Sequence, residues 1–240
     1  MRTLIAGFCV LAVAAVAGGP AFARDELAAA ETVTMGKFNY LLTTNSPATI
    51  RYAVILMPGG NGRLDPRTDG IKISLSAGGN FLIRSRELFA DQQFVAASTD
   101  ATSTPDRIMA IVRDLEKRYG KLAVYVIGTS RSTEATMALA RPLDGQVAGL
   151  VHSSSMSGIA GFDTRGLKSR QLIVLHKSDA CKVTSPSAGT ANHNKFGTDL
   201  IVMEGGKSTG DDCEAYAHHG YYGIEKETVD RIKQWILAGK

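Results

Sequence analysis

Cysteine is scarce in this chain, with three residues in 240, and charge of one sign is nowhere concentrated. So few cysteines exclude a disulfide-built scaffold. Neither a Cys-x-x-Cys nor a His-x-x-x-His spacing occurs, so the sequence carries no metal signature and calls for no cofactor. The 27 basic and 23 acidic residues are interspersed. That pattern points away from nucleic acid and from a membrane surface as partners. No internal repeat, low-complexity tract or linker is present. Beyond residue 18 no apolar run is long enough to span a bilayer, so no stable membrane insertion is expected once the leader is gone.

What is there begins with that leader. Met1 and Arg2 form a minimal basic start, residues 3–18 are almost wholly apolar, and Ala21-Phe22-Ala23 is a small-x-small cleavage signal. Residues 1–23 are therefore expected to be a signal peptide directing export to the periplasm or beyond. Cys9 lies inside the apolar run, a poor lipoprotein site, and would leave with the leader. Residues 24–240 suit one domain with a substantial core. Cys181 and Cys213 remain, and an even count in an exported protein favours a disulfide, worth about 3–4 kcal/mol in the chain-entropy model. A pair of buried free thiols is the other reading.

Apolar runs alternate with helical patterns. The runs Ala53–Met57, Phe94–Ala97, Leu122–Ile127, Val147–Val151, Leu172–Leu175 and Leu200–Met203 are nearly continuous, as in strands buried on both faces of a parallel sheet. Thr32–Tyr40 reads as an antiparallel edge strand. Thr104 is placed to cap a helix over residues 105–119, with Pro105 at its first position and Gly120 beyond its end. Arg131–Ala140 and Lys226–Ala238 are shorter helices. This alternation predicts a doubly wound α/β sheet with right-handed crossovers. The short connection between Val151 and Leu172 leaves no room for an inserted lid.

Gly128-Thr129-Ser130-Arg131-Ser132 directly follows one strand and directly precedes a helix. A nucleophile elbow needs that context: a sharp turn between small residues, with the serine at the positive end of a helix. The usual last residue is glycine, and Ser132 stands there instead. Taken alone, the pentapeptide reads equally well as a serine capping a helix. Pro58-Gly59-Gly60-Asn61-Gly62 follows an earlier strand, where backbone N–H groups could form an oxyanion hole from Gly60 or Asn61 together with Arg131. Asp179 lies just past a strand end, and His219, with His218 as its rival, lies before the last helix. The order Ser–Asp–His is the one used in the fold that carries such elbows.

Together these segments resemble small exported α/β-hydrolases of bacteria. The shared features are the Gly59–Gly62 loop, the Asn80–Arg84 segment, the Gly128–Thr133 elbow, Asp179–Cys181 and His219–Tyr221. The resemblance spans nearly all of residues 24–240 and implies a lidless α/β-hydrolase fold and a serine hydrolase. The expected catalytic residues are Ser130, Asp179 and His219. The expected reaction is hydrolysis of a carboxylic ester on a small-molecule or acyl-ester substrate, through an acyl-enzyme. An amidase or peptidase using the same triad, and a non-catalytic binding protein, are the alternatives. A Cys181–Cys213 bond would tie the acid and base loops together. His152, His176 and His193 read as packing or positioning groups, Ser153–Ser155 as a polar turn, and Arg84 and Arg86 as salt-bridge partners.

Overall fold

The computed structural model describes residues 29–68 and 73–239, so the signal-peptide assignment and Cys9 lie outside the described residues. Eight strands form one sheet. They are β1 (Ala29–Thr34), β2 (Asn39–Thr44), β3 (Tyr52–Met57), β6 (Phe94–Ser98), β7 (Ala123–Thr129), β8 (Gly149–Ser153), β9 (Arg170–His176) and β10 (Asp199–Met203). A separate two-residue ladder joins β4 (Arg67–Thr68) to β5 (Ile73–Ser74). The sheet order is β1-β2-β6-β3-β7-β8-β9-β10. In the order from β6 through β3 to β10 every adjoining pair is parallel, while β2 is antiparallel to both β1 and β6.

Every residue of β3, β6 and β8 is buried. Strands covered on both faces must be apolar on both, which is why these segments read as continuous rather than alternating runs. On β7, Val124 and Val126 pack into one layer with Ile108, Ile111, Val112 and Leu115 of α3 (Pro105–Tyr119). Tyr125 and Ile127 point into the opposite layer with Val229, Ile232 and Ile236 of α6 (Glu225–Ala238). Each fully buried aliphatic side chain contributes about 1.5–3 kcal/mol, so the two helical stripes alone supply much of the sheet's cover.

Two local expectations are corrected. Thr32–Tyr40 is not one strand but the end of β1, a turn and the start of β2; the turn is closed by the Met35 N–H donating to the Phe38 carbonyl at 2.7 Å. Gly36-Lys37 inside the span is the breaker that outweighed its β-formers. Thr104 occupies the cap position of α3, but its hydroxyl caps nothing, and its own N–H is taken by Thr102 Oγ1 at 3.0 Å. Pro105 has no N–H to satisfy, which reduces the need for a side-chain cap.

The chain enters at β3, crosses to β6 on one side, then returns to β7 on the other. Beyond the carboxyl ends of β3 and β7 the connections diverge and leave a crevice. Residues 154–169, between β8 and β9, hold only a short 3-10 turn at Ser157–Gly161, so no lid is inserted there.

Candidate active site

Ser130 sits at the carboxyl end of β7 with φ 53°. A left-handed serine costs roughly 1–3 kcal/mol and survives only where neighbours over-determine it. Those neighbours are visible. The Ser130 N–H donates to the Ser153 carbonyl at 3.0 Å, and Thr133, in α4 (Ser132–Ala140), donates its hydroxyl to the Ser130 carbonyl at 2.6 Å. Of the five described non-glycine residues with positive φ, Ser130, Ser154 and Tyr221 all lie in this region, which concentrates the chain's backbone strain here.

Ser132, the departure from the usual elbow, is buried and fully used. Its Oγ accepts the Thr129 N–H at 2.8 Å and reaches the Met57 and Thr129 carbonyls, each at 2.9 Å. The hydroxyl thus ties the elbow to the end of β3. Sequence alone registered only that serine was small enough to fit.

The glycine loop lies against the elbow. A Cβ on Gly59 would stand 2.8 Å from the Thr129 carbonyl and 2.9 Å from Ser130 Cβ, so no side chain fits there. The Gly62 N–H donates to the Gly59 carbonyl at 3.0 Å, which makes Gly60 and Asn61 the two central residues of a turn. Among the described residues no acceptor takes the N–H of Gly60, Asn61 or Arg131. Gly60 and Asn61 line the same open cleft as Ser130 and His219, a space of about 450 Å³. Arg131 lines a neighbouring cleft, which shares Gly60 and Asn61 with the first.

Asp179 follows β9 and is 8% exposed, and His219 is 6% exposed. His219 Nδ1 lies 3.0 Å from Asp179 Oδ2. The other carboxylate oxygen, Oδ1, accepts the Cys181 N–H at 3.0 Å. His218, the rival base, points elsewhere. Its ring meets His176 edge-on at 4.6 Å, and its buried Nδ1 has no partner among the described residues. His176 accepts the Ser178 N–H at Nδ1 and bonds the Gly205 carbonyl through Nε2. Burial pushes its pKa down, in keeping with a neutral ring.

The base loop is held from three sides. Ser154 donates its hydroxyl to the His219 carbonyl at 2.7 Å. Tyr221, buried, donates to the Val174 carbonyl at 2.9 Å and accepts the Ser154 N–H at 3.0 Å. A Cβ on Gly220 would collide with the Ala215 carbonyl, so the residue after His219 must be glycine. Of the segment read as a polar turn, Ser153 ends β8 and donates to the Gly128 carbonyl at 3.2 Å, Ser154 braces the base loop, and Ser155 is buried with its hydroxyl unpartnered among the described residues. Arg84, the last residue of α1 (Phe81–Arg84), donates to the Gly79 and Gly220 carbonyls at 2.6 Å each and pairs with Glu225. Arg86 pairs with Glu87, as expected.

Cys181 and Cys213 are bonded, with their Cα atoms 4.7 Å apart. Cys181 is buried beside Asp179, whereas Cys213 is exposed and lines the cleft. Asp179, Cys181 and His219 bring three ligand-type atoms within 4.8 Å of one another. The sulfur is spent in the disulfide, however, and a thiolate is what a metal needs. The donor set does not fit an ion. His152 lies under the elbow, fully buried, between Thr136 Oγ1 at 2.7 Å and Gln171 Oε1 at 3.1 Å. His193 meets the Thr198 carbonyl at the end of α5 (Pro186–Phe196). Thr184, which sequence reasoning passed over, touches both Asp179 and His219.

No family model matches the chain, and no curated protein matches it either. Solved structures do resemble it. A lidless α/β serine hydrolase from Xanthomonas campestris is 12% identical with a TM-score of 0.55, covering 85% of this chain and 94% of its own. Est1E from Butyrivibrio proteoclasticus is 14% identical with a TM-score of 0.57, covering 88% and 98%. An α/β serine hydrolase homologue from Coxiella burnetii is 15% identical with a TM-score of 0.56, covering 85% and 96%. At these identities the likeness is one of fold: this chain has the α/β-hydrolase fold.

Proposed function

We propose that this protein is a serine hydrolase that cleaves a carboxylic ester through an acyl-enzyme. The observation that carries the reading is the 3.0 Å contact between His219 Nδ1 and Asp179 Oδ2, made by a histidine that lines the same cleft as the strained Ser130. A histidine whose Nδ1 donates to a carboxylate keeps a lone pair on Nε2 for use as a base.

In this reading Ser130 Oγ attacks the ester carbonyl while His219 takes its proton. The Gly60, Asn61 and Arg131 N–H groups, free of acceptors among the described residues, receive the charge that develops on the carbonyl oxygen. His219 then returns the proton to the departing alcohol. Water enters by the same route in reverse and releases the acid. Asp179 orients the ring and balances its charge throughout. Among the described residues the cleft is walled mainly by glycine, alanine and short polar side chains, with Phe81 and Tyr216 the large rings beside His219. Acyl groups of a few carbons suit such walls better than long chains, which need a continuous apolar surface. The leader pattern and the Cys181–Cys213 bond support action outside the reducing cytosol.

Labelling with a fluorophosphonate probe tests the reading, because only an activated serine reacts. The wild type is expected to label and Ser130→Ala not to. Ser130→Ala should also lose on the order of 10³-fold or more of its rate on a p-nitrophenyl acetate substrate while keeping its fold. An unlabelled wild type would favour a binding protein on the same scaffold. A labelled chain that turns over anilides but no esters would favour an amidase.

A further inference from the structure

Thr184 Oγ1 lies 3.2 Å from Asp179 Oδ2 and 3.1 Å from His219 Nδ1, and those two atoms are 3.0 Å apart. The three polar atoms form a nearly equilateral triangle. Thr184 is 2% exposed, so no bulk water competes for its hydroxyl. It sits in the turn closed by its own N–H on the Cys181 carbonyl at 3.1 Å, which the disulfide anchors in place.

Proton accounting gives each contact a direction. An ionised carboxylate only accepts, so the Thr184 proton goes to Asp179 Oδ2. The alternative acceptor, the Cys181 carbonyl, is 3.5 Å away, at the limit of a hydrogen bond. With its proton committed, the hydroxyl oxygen can only accept from the ring. His219 Nδ1 therefore faces two acceptors and carries a proton shared between them, and the lone pair is left on Nε2. A rotation of the imidazole that relieves one contact strains the other.

From this we infer that Thr184 is a positioning residue of the hydrolytic site: its hydroxyl, set between Asp179 and His219, fixes the tautomer and orientation of the base. The inference rests on the reading of His219 as the base. A threonine that only filled space in the turn would need no hydroxyl at this point, and valine would replace it.

Two substitutions separate the cases. Thr184→Val keeps the shape and removes the hydroxyl, and Thr184→Ser keeps the hydroxyl and removes the methyl group. On p-nitrophenyl acetate, Thr184→Val is expected to lose about 10-fold or more in kcat with KM little changed, since a misoriented base slows the chemistry and not the binding. Thr184→Ser should stay close to the wild type. The low-field proton resonance of His219 Nδ1–H should move further downfield in Thr184→Val, because the carboxylate alone then accepts that proton. If Thr184→Val fails to fold by circular dichroism, Thr184→Ala replaces it in the same comparison with Thr184→Ser. Equal kcat losses in the hydroxyl-free and serine variants would overturn the inference, and so would an unmoved resonance. The resonance needs no turnover: if the wild type hydrolyses nothing, the functional reading falls while the resonance still decides the role of Thr184.

Discussion

Arg84 grips the Gly220 carbonyl. Its Nη2 donates there at 2.6 Å, and its Nη1 donates to the Gly79 carbonyl, also at 2.6 Å. One guanidinium thereby joins the two walls of the cleft, and Gly220 is the immediate neighbour of His219. Glu225 holds the same guanidinium at 3.0 Å. Sequence suggested only a salt bridge at Arg84, because a carbonyl partner across the fold leaves no trace in composition.

Arg84→Lys tests this clamp. A lysine keeps the charge but cannot span two carbonyls and a carboxylate with a planar fork. The expected result is a kcat reduced by about 10-fold, with the fold intact. Stopped-flow or steady-state ester hydrolysis checks it, and a fully active Arg84→Lys would show that charge alone suffices.

Ser132→Gly restores the residue usual in such elbows and is nevertheless expected to destabilise this protein. It strips the buried Thr129 N–H of its 2.8 Å acceptor and severs the link to Met57. The cost should be about 1–3 kcal/mol in urea unfolding, with activity per folded molecule largely kept. A variant as stable as the parent would mean that the backbone closes the gap by itself.

Acid should weaken the fold through His152. Burial pushes its pKa down from 6.5 to about 4. Between those values the unfolded chain binds a proton that the folded chain refuses, so stability is complete above about pH 6.5 and falls as the pH drops toward 4. The loss amounts to about 3 kcal/mol. Urea midpoints measured across pH 7.5–4.5 should show the decline, and His152→Gln should flatten it. An equally steep slope in that variant would assign the proton elsewhere.

Cys213→Ser should separate activity from folding. The bond ties the turn that carries Asp179 to the segment that precedes His219, and the central strands take no part in it. Hydrolysis is therefore expected to fail at temperatures where circular dichroism still reports the native sheet. Loss of both along one melting curve would make the bridge an element of the whole fold.

The parts of this molecule that were legible in its sequence are those where one physical demand dominates. Strands β3, β6 and β7 had to be apolar on both faces, and α3 had to present a stripe, so their composition announced them. The sharp turn at Ser130 and the close-packed loop at Gly59 were readable because sharp turns and close approaches restrict residue type. Helix α5 was missed although Pro186 and Gly197 mark its ends. Its buried face includes Ala188, Gly189 and Asn192, and Asn192 serves the Ile159 and Phe162 carbonyls, so no apolar stripe betrays it. Thr184 was invisible for a different reason: it acts through two partners, one five residues away and one thirty-five.

The cleft belongs to one rim of the sheet, and the exposed residues of the opposite rim suit handling of the protein. β7 runs from Ala123 to Thr129, and the exposed Gly120-Lys121 turn lies at its far end from Ser130. Seven residues of strand place that turn roughly 20 Å or more from the nucleophile. A resin, a fluorophore or a fusion partner attached through Lys121 would stand behind the sheet and leave the cleft open to solvent.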